Sequence, residues 1–372
     1  MQGLLDLRDN RGKRHEQAFV LYCFLFSMLR IAGDITVSSV HRMMKREYLF
    51  LAAELGLTIE KCISRSQLGR LLELLDFHDY NRLNEEFFGV SLAHGQDGES
   101  LSWYAIDGKE LRGSIDKAAG QKRAENIVRM VSHRDSSSNV IFYYDGSKRS
   151  EKALVKQYFK GDRSMKDAYS MDALHTDTDL LTTIHQGGGT YLAQVKGNQK
   201  HMLEACRDIH SSERPHWKDE VWEKGHGRIE MRKGYHYRVA PEWFADSWKD
   251  SGISDLIVVE RKRHEVKTGK ESGGTYFYIS NRMANIGNGQ KIGKELFEAV
   301  RKHWGIEADH YVRDKVLGED DIKCFNKWRT RALAAVINVA VNLIRIHNDM
   351  ESIKEFREEM NYDRRVALKC LK

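Results

Sequence analysis

Between residues 102 and 198 the chain passes through three apolar stretches and then alternates helix with strand, an order that few folds accommodate. "SWYAIDG" (102–108), "ENIVRMVSH" (125–133) and "NVIFYYDG" (139–146) are rich in β-branched and aromatic residues and are separated by polar, turn-forming segments, so they read as three strands in a meander. "EKALVKQYF" (151–159) has helical spacing, and "AYSMD" (168–172) is a short strand. "TDLLTTIHQ" (178–186) is a helix stopped by Gly187, Gly188 and Gly189, and "TYLAQVKGN" (190–198) is a further strand.

A meander followed by helix–strand alternation is the chain order of an RNase H-like α/β domain. Its flanks differ. Residues 1–95 read as helical, with apolar spacing through 17–31, 40–55 and 66–76. Ser64 followed by Gln67 predicts a capping box at the start of "QLGRLLELLD", where Arg65 and Arg70 also lie. A helix pair of this kind is either a helix-turn-helix reader of DNA or a plain bundle. The polar, glycine-containing stretch 93–100 makes a boundary. Residues 201–275 hold strand patterns with charged edges and read as an inserted, mainly β subdomain; helical spacing resumes at Gln290 and continues to about Asn348. The expected architecture is therefore α/β: a helical N-terminal domain (1–95), an RNase H-like core in two parts (100–200 and 276–350), a β-rich insertion (201–275) and a C-terminal tail (351–372).

Composition narrows the classes. At 372 residues and 41% hydrophobic, the chain can bury a sizeable core in two or three domains. Its five cysteines are far apart and form no CxxC pair, which argues against a zinc ribbon or disulfide framework and for reduced thiols. The apolar run Ala18 to Leu29, closed by Arg30, is too short to span a bilayer and reads as a buried helix. The net charge of +6 permits a polyanionic partner without demanding one. Residues 1–100 carry 12 Lys/Arg against 14 Asp/Glu, so the positive excess lies beyond them.

Three acids stand out. Asp107 and Asp172 each end an apolar strand, and in an open α/β sheet the carboxyl ends of strands form the crevice where ligands bind. Gly108 beside Asp107 allows close approach. Aspartates also end strands simply as turn formers. Glu307 falls on the stripe Leu296, Val300, Trp304, Tyr311 of a helix starting near Lys294, and a carboxylate on a buried face calls for a partner or a metal. A salt bridge to Arg301 or His303 would serve equally. Gly305 inside that helix points to close packing or a close ligand. Trp304 is either core or a surface for stacking an unpaired base. Three acids from separate elements meet the need of Mg²⁺, which takes a few carboxylates plus phosphate and water oxygens, and two such ions about 4 Å apart suit phosphodiester cleavage.

At these residues the chain resembles the insertion-sequence DDE transposases, in the group that includes the H-repeat-associated proteins. "AIDGKELRGS" (105–114) is similar to that family's first-aspartate motif, "SMDALHT" (170–176) to its second, and "YLAQVKGNQ" (191–199) to the strand and loop that follow. "GHGRIEMR" (225–232) resembles a motif of its β insertion, and "HWGIE" (303–307), with Arg301 before it, its glutamate motif. "GEDD" (318–321) and "ALAAVINVAVNLIR" (332–345) resemble its C-terminal block, and "LLDLRDNRGKRHE" (4–16) its helical domain. The motifs keep their order over nearly the whole chain. The segment "ADHYVRDKVLGEDD" departs from the family, where an asparagine and a tryptophan-containing run are expected after the glutamate, and His303 stands where the wider superfamily has an arginine.

The resemblance implies Asp107, Asp172 and Glu307 as catalytic and metal-holding residues, with two Mg²⁺ or Mn²⁺ ions as cofactors. It implies Lys109, Arg112, Lys196, Asn198, Arg228, Arg301 and His303 as DNA-binding positions, with Glu230 also on a motif. The activity implied is hydrolysis at the element's ends followed by transesterification into target DNA. The implied partners are terminal repeats, target DNA and a second copy of the chain; no membrane is implied, and a bacterial cytoplasmic, nucleoid-associated location is. The alternatives are an inactive or domesticated DNA-binding relative, and a nuclease that cuts without joining.

Overall fold

The computed structural model describes residues 3–9, 13–31, 35–88, 101–122, 124–142, 150–160, 167–225, 227–282, 289–350 and 352–372. The boundary expected at 93–100 and the end of the third strand pattern (143–146) lie outside them.

The meander and the alternation form as expected: β1 (Trp103–Leu111), β2 (Glu125–Ser132), β3 (Ser138–Phe142), α5 (Glu151–Lys160), β4 (Ala168–Met171), α6 (Thr178–Gln186) and β5 (Thr190–Val195). Gly187 caps α6, and Gly188 takes a left-handed conformation (φ 83°) that residues with a Cβ rarely adopt. β1 pairs antiparallel with β2 and parallel with β4, and β4 pairs parallel with β5.

The later strands correct one expectation. β6 (Trp217–Gly225), β7 (Arg228–Arg238), β8 (Asp255–Glu265) and β9 (Glu271–Ser280) do not stand as a separate sheet. β9 pairs antiparallel with β5, Leu192 opposite Ser280, and one nine-stranded mixed sheet results, ordered β3-β2-β1-β4-β5-β9-β8-β7-β6. The backbone ladder of β5 needs a partner on its second edge, and the apolar start of β8 and end of β9 bury both their faces there. The insertion is thus an insertion in sequence but a continuation of the sheet in space.

Helices cover both faces. Alternation along β1 puts Tyr104 and Ile106 against α5 and α6, in one apolar cluster with α7 (Lys200–Ser212). Ala105 faces the other way, against Ile306 of α9 (Gly305–Tyr311). Further along that face, Ile257 and Tyr278 pack on Leu296 and Phe297 of α8 (Gly289–His303).

The remaining helices share one core. α1 (Gln17–Arg30), α2 (Val37–Glu54) and α3 (Arg65–Leu74) pack with α10 (Lys327–His347), α11 (Ile353–Tyr362) and α12 (Arg364–Lys369), while α4 (Phe77–Phe88) adjoins α10 and β3. Ser64 and Gln67 make the expected capping box. The short apolar run of α1 is buried on all sides, and Arg30 behind it donates to Glu47 and to the Met360 carbonyl. Among the described residues no helix is long and apolar enough to cross a membrane. Residues 353–369 are helices, not a free tail; Phe356, Met360 and Leu368 are buried in the core that α1 begins.

Candidate metal centre

The parallel pairing of β1 with β4 sets Ile106 beside Met171, so the next residues, Asp107 and Asp172, emerge on neighbouring strands. Adjacent strands lie about 4.8 Å apart. Asp107 is on the strand face that carries Ala105, toward α9. Asp172 turns the chain as well as presenting an acid: its Oδ1 accepts the Leu174 N–H at 2.8 Å and starts the 3-10 turn Ala173–His175.

A third carboxylate enters from α5. Glu151 is the first residue of that helix and lies across Gly108, which explains the glycine. His175, fully buried, meets Glu151 Oε1 through Nε2 at 2.7 Å. Nδ1 of His175 has no hydrogen-bonding partner among the described residues. A buried bare lone pair is tolerated better than an orphaned N–H, so the proton is assigned to Nε2, which donates to Glu151. Asp107, Glu151 and His175 offer ligand atoms that all lie within 4.8 Å of one another.

The electrostatics are those of a site short of positive charge. Burial, then Glu151, then Asp172 push the Asp107 carboxyl up to about 7, against the pull of the Gly108 N–H at 2.9 Å and of His175. His310 of α9 brings Nδ1 to 3.7 Å from Asp107 Oδ2, but burial and Arg129 hold that imidazole down to about 3, so it adds no charge near neutrality. Mutually repelling carboxylates with one imidazole form a donor set that fits a divalent cation.

Glu307 differs from expectation. The stripe Leu296, Val300, Trp304, Tyr311 presumes one continuous helix, but α8 ends at His303 and α9 starts anew at Gly305. The break shifts the phase. Ile306 and Asp309 become the buried residues of α9, whereas Glu307 is exposed, as are Trp304 and Tyr311. Gly305 is not closely packed either, since a Cβ there would meet nothing within 4 Å. Trp304 is neither core nor bare: the Arg261 guanidinium lies 4.5 Å from its ring centroid.

The expected DNA-binding positions divide. Lys109 is committed internally, paired with Asp314 and with Asp320 at 3.1 Å, and its side chain is 12% exposed. Arg112 is open to solvent with only a distant Asp320 contact at 3.9 Å. Lys196 is exposed, and Asn198 holds its loop by donating to the Ala173 carbonyl at 2.7 Å. Arg301 pairs with Glu223, Arg228 approaches Glu230 at 3.9 Å, and Glu230 itself is buried against Arg232. His303 binds Ser170, within the field of Asp172 and Lys196.

The motifs beside Asp107 and around residue 320 interlock. A Cβ on Gly113 would strike the Ile322 carbonyl oxygen at 2.2 Å, Lys109 grips Asp320, and Glu319 pairs with the buried Arg129 of β2. Below them Arg313 and Asp309, both fully buried, pair at 2.7 Å, and Arg345 of α10 reaches Asp309 at 2.8 Å. Arg313 also donates to Ser138 and Asn338. Asn338 and Asn342 donate to the Ser138 carbonyl, so the first residue of the outer strand β3 is satisfied by side chains of α10. Sequence reasoning missed Glu151 and His310. Glu151 sits in an ordinary helix start and His310 in an ordinary helix; only their meeting with Asp107 gives them meaning.

The chain is 27% identical over 276 residues to "Putative transposase YncI" of Escherichia coli O157:H7, an alignment covering 71% of this chain and 66% of that protein. It is 24% identical over 261 residues to "H repeat-associated putative transposase YhhI" of Escherichia coli (strain K12), covering 68% and 65%. The chain therefore spans just under two thirds of the length of each of these curated relatives. No family model matches the chain. At 24–27% identity, the chain is a distant homologue of transposase-like proteins, one of them H-repeat-associated.

Proposed function

We propose that this protein is a DNA transposase with an RNase H-like core, which cuts at the ends of an insertion sequence and joins the freed 3′ hydroxyl to target DNA. The observation that carries the reading is the gathering of Asp107, Glu151 and His175, whose ligand atoms lie within 4.8 Å of one another, with the Asp107 carboxyl lifted by burial, by Glu151 and by Asp172, which follows the adjacent parallel strand. An arrangement this costly without a counter-charge fits a site built for divalent cations.

Asp107, Asp172 and Glu307 are the proposed catalytic acids, with Glu151 beside them. Two Mg²⁺ or Mn²⁺ ions, when bound, supply the Lewis acidity that activates an oxygen nucleophile and neutralises the leaving oxygen. The chain's own part is to hold oxygen donors in a rigid crevice. The interlock of Lys109, Arg129 and Arg313 with residues 309–320 keeps α9, the helix that carries Glu307, beside β1. Exposed Arg112 and Lys196 are suited to phosphates. The helical residues 1–95 contribute to recognition of the ends, and a homodimer brings two ends together, in the bacterial cytoplasm at the nucleoid.

The test is a cleavage and strand-transfer assay with the repeats that flank the gene and Mg²⁺ or Mn²⁺. Cutting and joining are expected, and Asp107→Ala abolishes both while sparing DNA binding. Cutting without joining would make the protein a nuclease. DNA binding without cutting would make it an inactive relative.

A further inference from the structure

Resting on that reading, we infer that His133 and Ser170 are positioning residues, which fix His303 as the tautomer carrying its proton on Nε2 and so present a neutral N–H donor to a phosphate oxygen of bound DNA.

Three side chains from three elements form an unbroken line. His133 follows the end of β2, its ring stacked on Trp103 with centroids 6.0 Å apart. Its Nε2 lies 2.9 Å from the Ser170 hydroxyl on β4, and that hydroxyl lies 2.9 Å from Nδ1 of His303, the last residue of α8. The protons in this line can be assigned. Nδ1 of His133 is buried and has no hydrogen-bonding partner among the described residues, so it is best left as a lone pair, which places the proton on Nε2. That N–H donates to Ser170, whose own hydrogen is then free to go elsewhere. It has two acceptors in reach: His303 Nδ1 at 2.9 Å and the Tyr104 carbonyl at 3.4 Å. The shorter contact is the stronger, so Nδ1 of His303 accepts. A neutral imidazole with Nδ1 accepting carries its proton on Nε2.

Both imidazoles are neutral. Burial pushes His133 down to about 3 and His303 down to about 4. Burial apart, Asp172 is the strongest charge acting on the His303 ring, and the Ser170 backbone and Lys196 also act on it. An N–H donor on a ring that feels both an acid of the crevice and an exposed lysine suits an anionic oxygen, which needs a donor that does not itself compete for the metal. The line also explains a serine at position 170, on a strand otherwise filled by Ala, Tyr and Met.

The experiment is ¹⁵N NMR of the full chain with labelled histidines, where the two ring nitrogens report the tautomer directly. His303 in the wild type is expected to show protonated Nε2 and bare Nδ1; the opposite pattern overturns the proposal. Ser170→Ala and His133→Ala should each shift His303 toward the other tautomer, and Ser170→Thr, which keeps the hydroxyl, should hold the wild-type pattern. A wild-type tautomer persisting in both alanine variants overturns the relay. Adding a short duplex that carries the flanking repeat should move the His303 Nε2 signal. If a mobility-shift assay shows the duplex bound with that signal unmoved, the phosphate contact is wrong. If no duplex binds at all, the transposase reading fails, and the tautomer measurements still decide the relay.

Discussion

Glu151 occupies the space that a side chain on residue 108 would need: a Cβ built on Gly108 would sit 2.0 Å from the Glu151 Cδ. A carboxylate from a helix thus rests on the backbone of the strand that carries Asp107. Gly108→Ala is expected to push Glu151 away and weaken Mn²⁺ binding by tenfold or more, measured by calorimetry, on the order of 1.4 kcal/mol. Global stability should change less, because Glu151 is only half-buried. Unchanged Mn²⁺ affinity would remove Glu151 from the site.

The raised Asp107 carboxyl has two consequences for pH. The folded chain holds this proton more tightly than the unfolded chain, so the stability it contributes is complete below about 3.8 and is lost as pH rises to about 7. The full difference is on the order of 4 kcal/mol. Asp107→Asn should therefore be more stable than the wild type at pH 8 and similar at pH 4, read from urea unfolding. Identical pH profiles would contradict the assignment.

The same proton competes with metal. Mn²⁺ affinity should fall about tenfold per pH unit below 7 and level off above it, with proton release on binding. A flat affinity between pH 5 and 7 would show that Asp107 is already ionised there.

Arg313 and Asp309 are a buried pair beneath α9, with side chains 0% exposed. Arg313→Ala leaves the buried Asp309 with Arg345 and the field of Arg129 and should cost about 3–5 kcal/mol in urea unfolding. Arg313→Met with Asp309→Leu, which removes both charges, should cost less than the single change. The opposite ranking would mean that the pair contributes net stability.

Lys109 and Arg112 stand three residues apart, yet Lys109 is held by Asp314 and Asp320 while Arg112 is open to solvent and reaches Asp320 only at 3.9 Å. Arg112→Ala should weaken DNA binding and reduce its salt dependence. Lys109→Ala should leave the salt dependence alone and lower stability, since it strands Asp314 and Asp320. A changed salt slope in Lys109→Ala would return that lysine to the DNA.

Local pattern carried much of the architecture. The alternation of β1, the helical period of α5 and α6, and the capping box at Ser64 are effects of neighbours within four residues, and each formed where the sequence placed it. The acid after β4, Asp172, was legible too, and the parallel register of β1 with β4 sets it beside Asp107, which lies within β1 and not at its end. Glu307 is exposed and not buried because the period of the stripe does not carry across Trp304, where the helix breaks; a glycine in sequence does not say whether a helix continues through it.

The sequence by itself determined the strands, most of the helices, and the aspartate that follows β4, since backbone preference and periodic burial act over short distances; Asp107, expected to end its strand, lies inside β1, which runs on to Leu111. Only the tertiary structure decided that β9 joins β5, that helices from both termini share one core, and that Glu151, His175 and His310 gather around Asp107. Those outcomes depend on contacts between residues tens to hundreds of positions apart. Such contacts are set by which edges and faces remain unsatisfied once local structure has formed, and no local pattern records that.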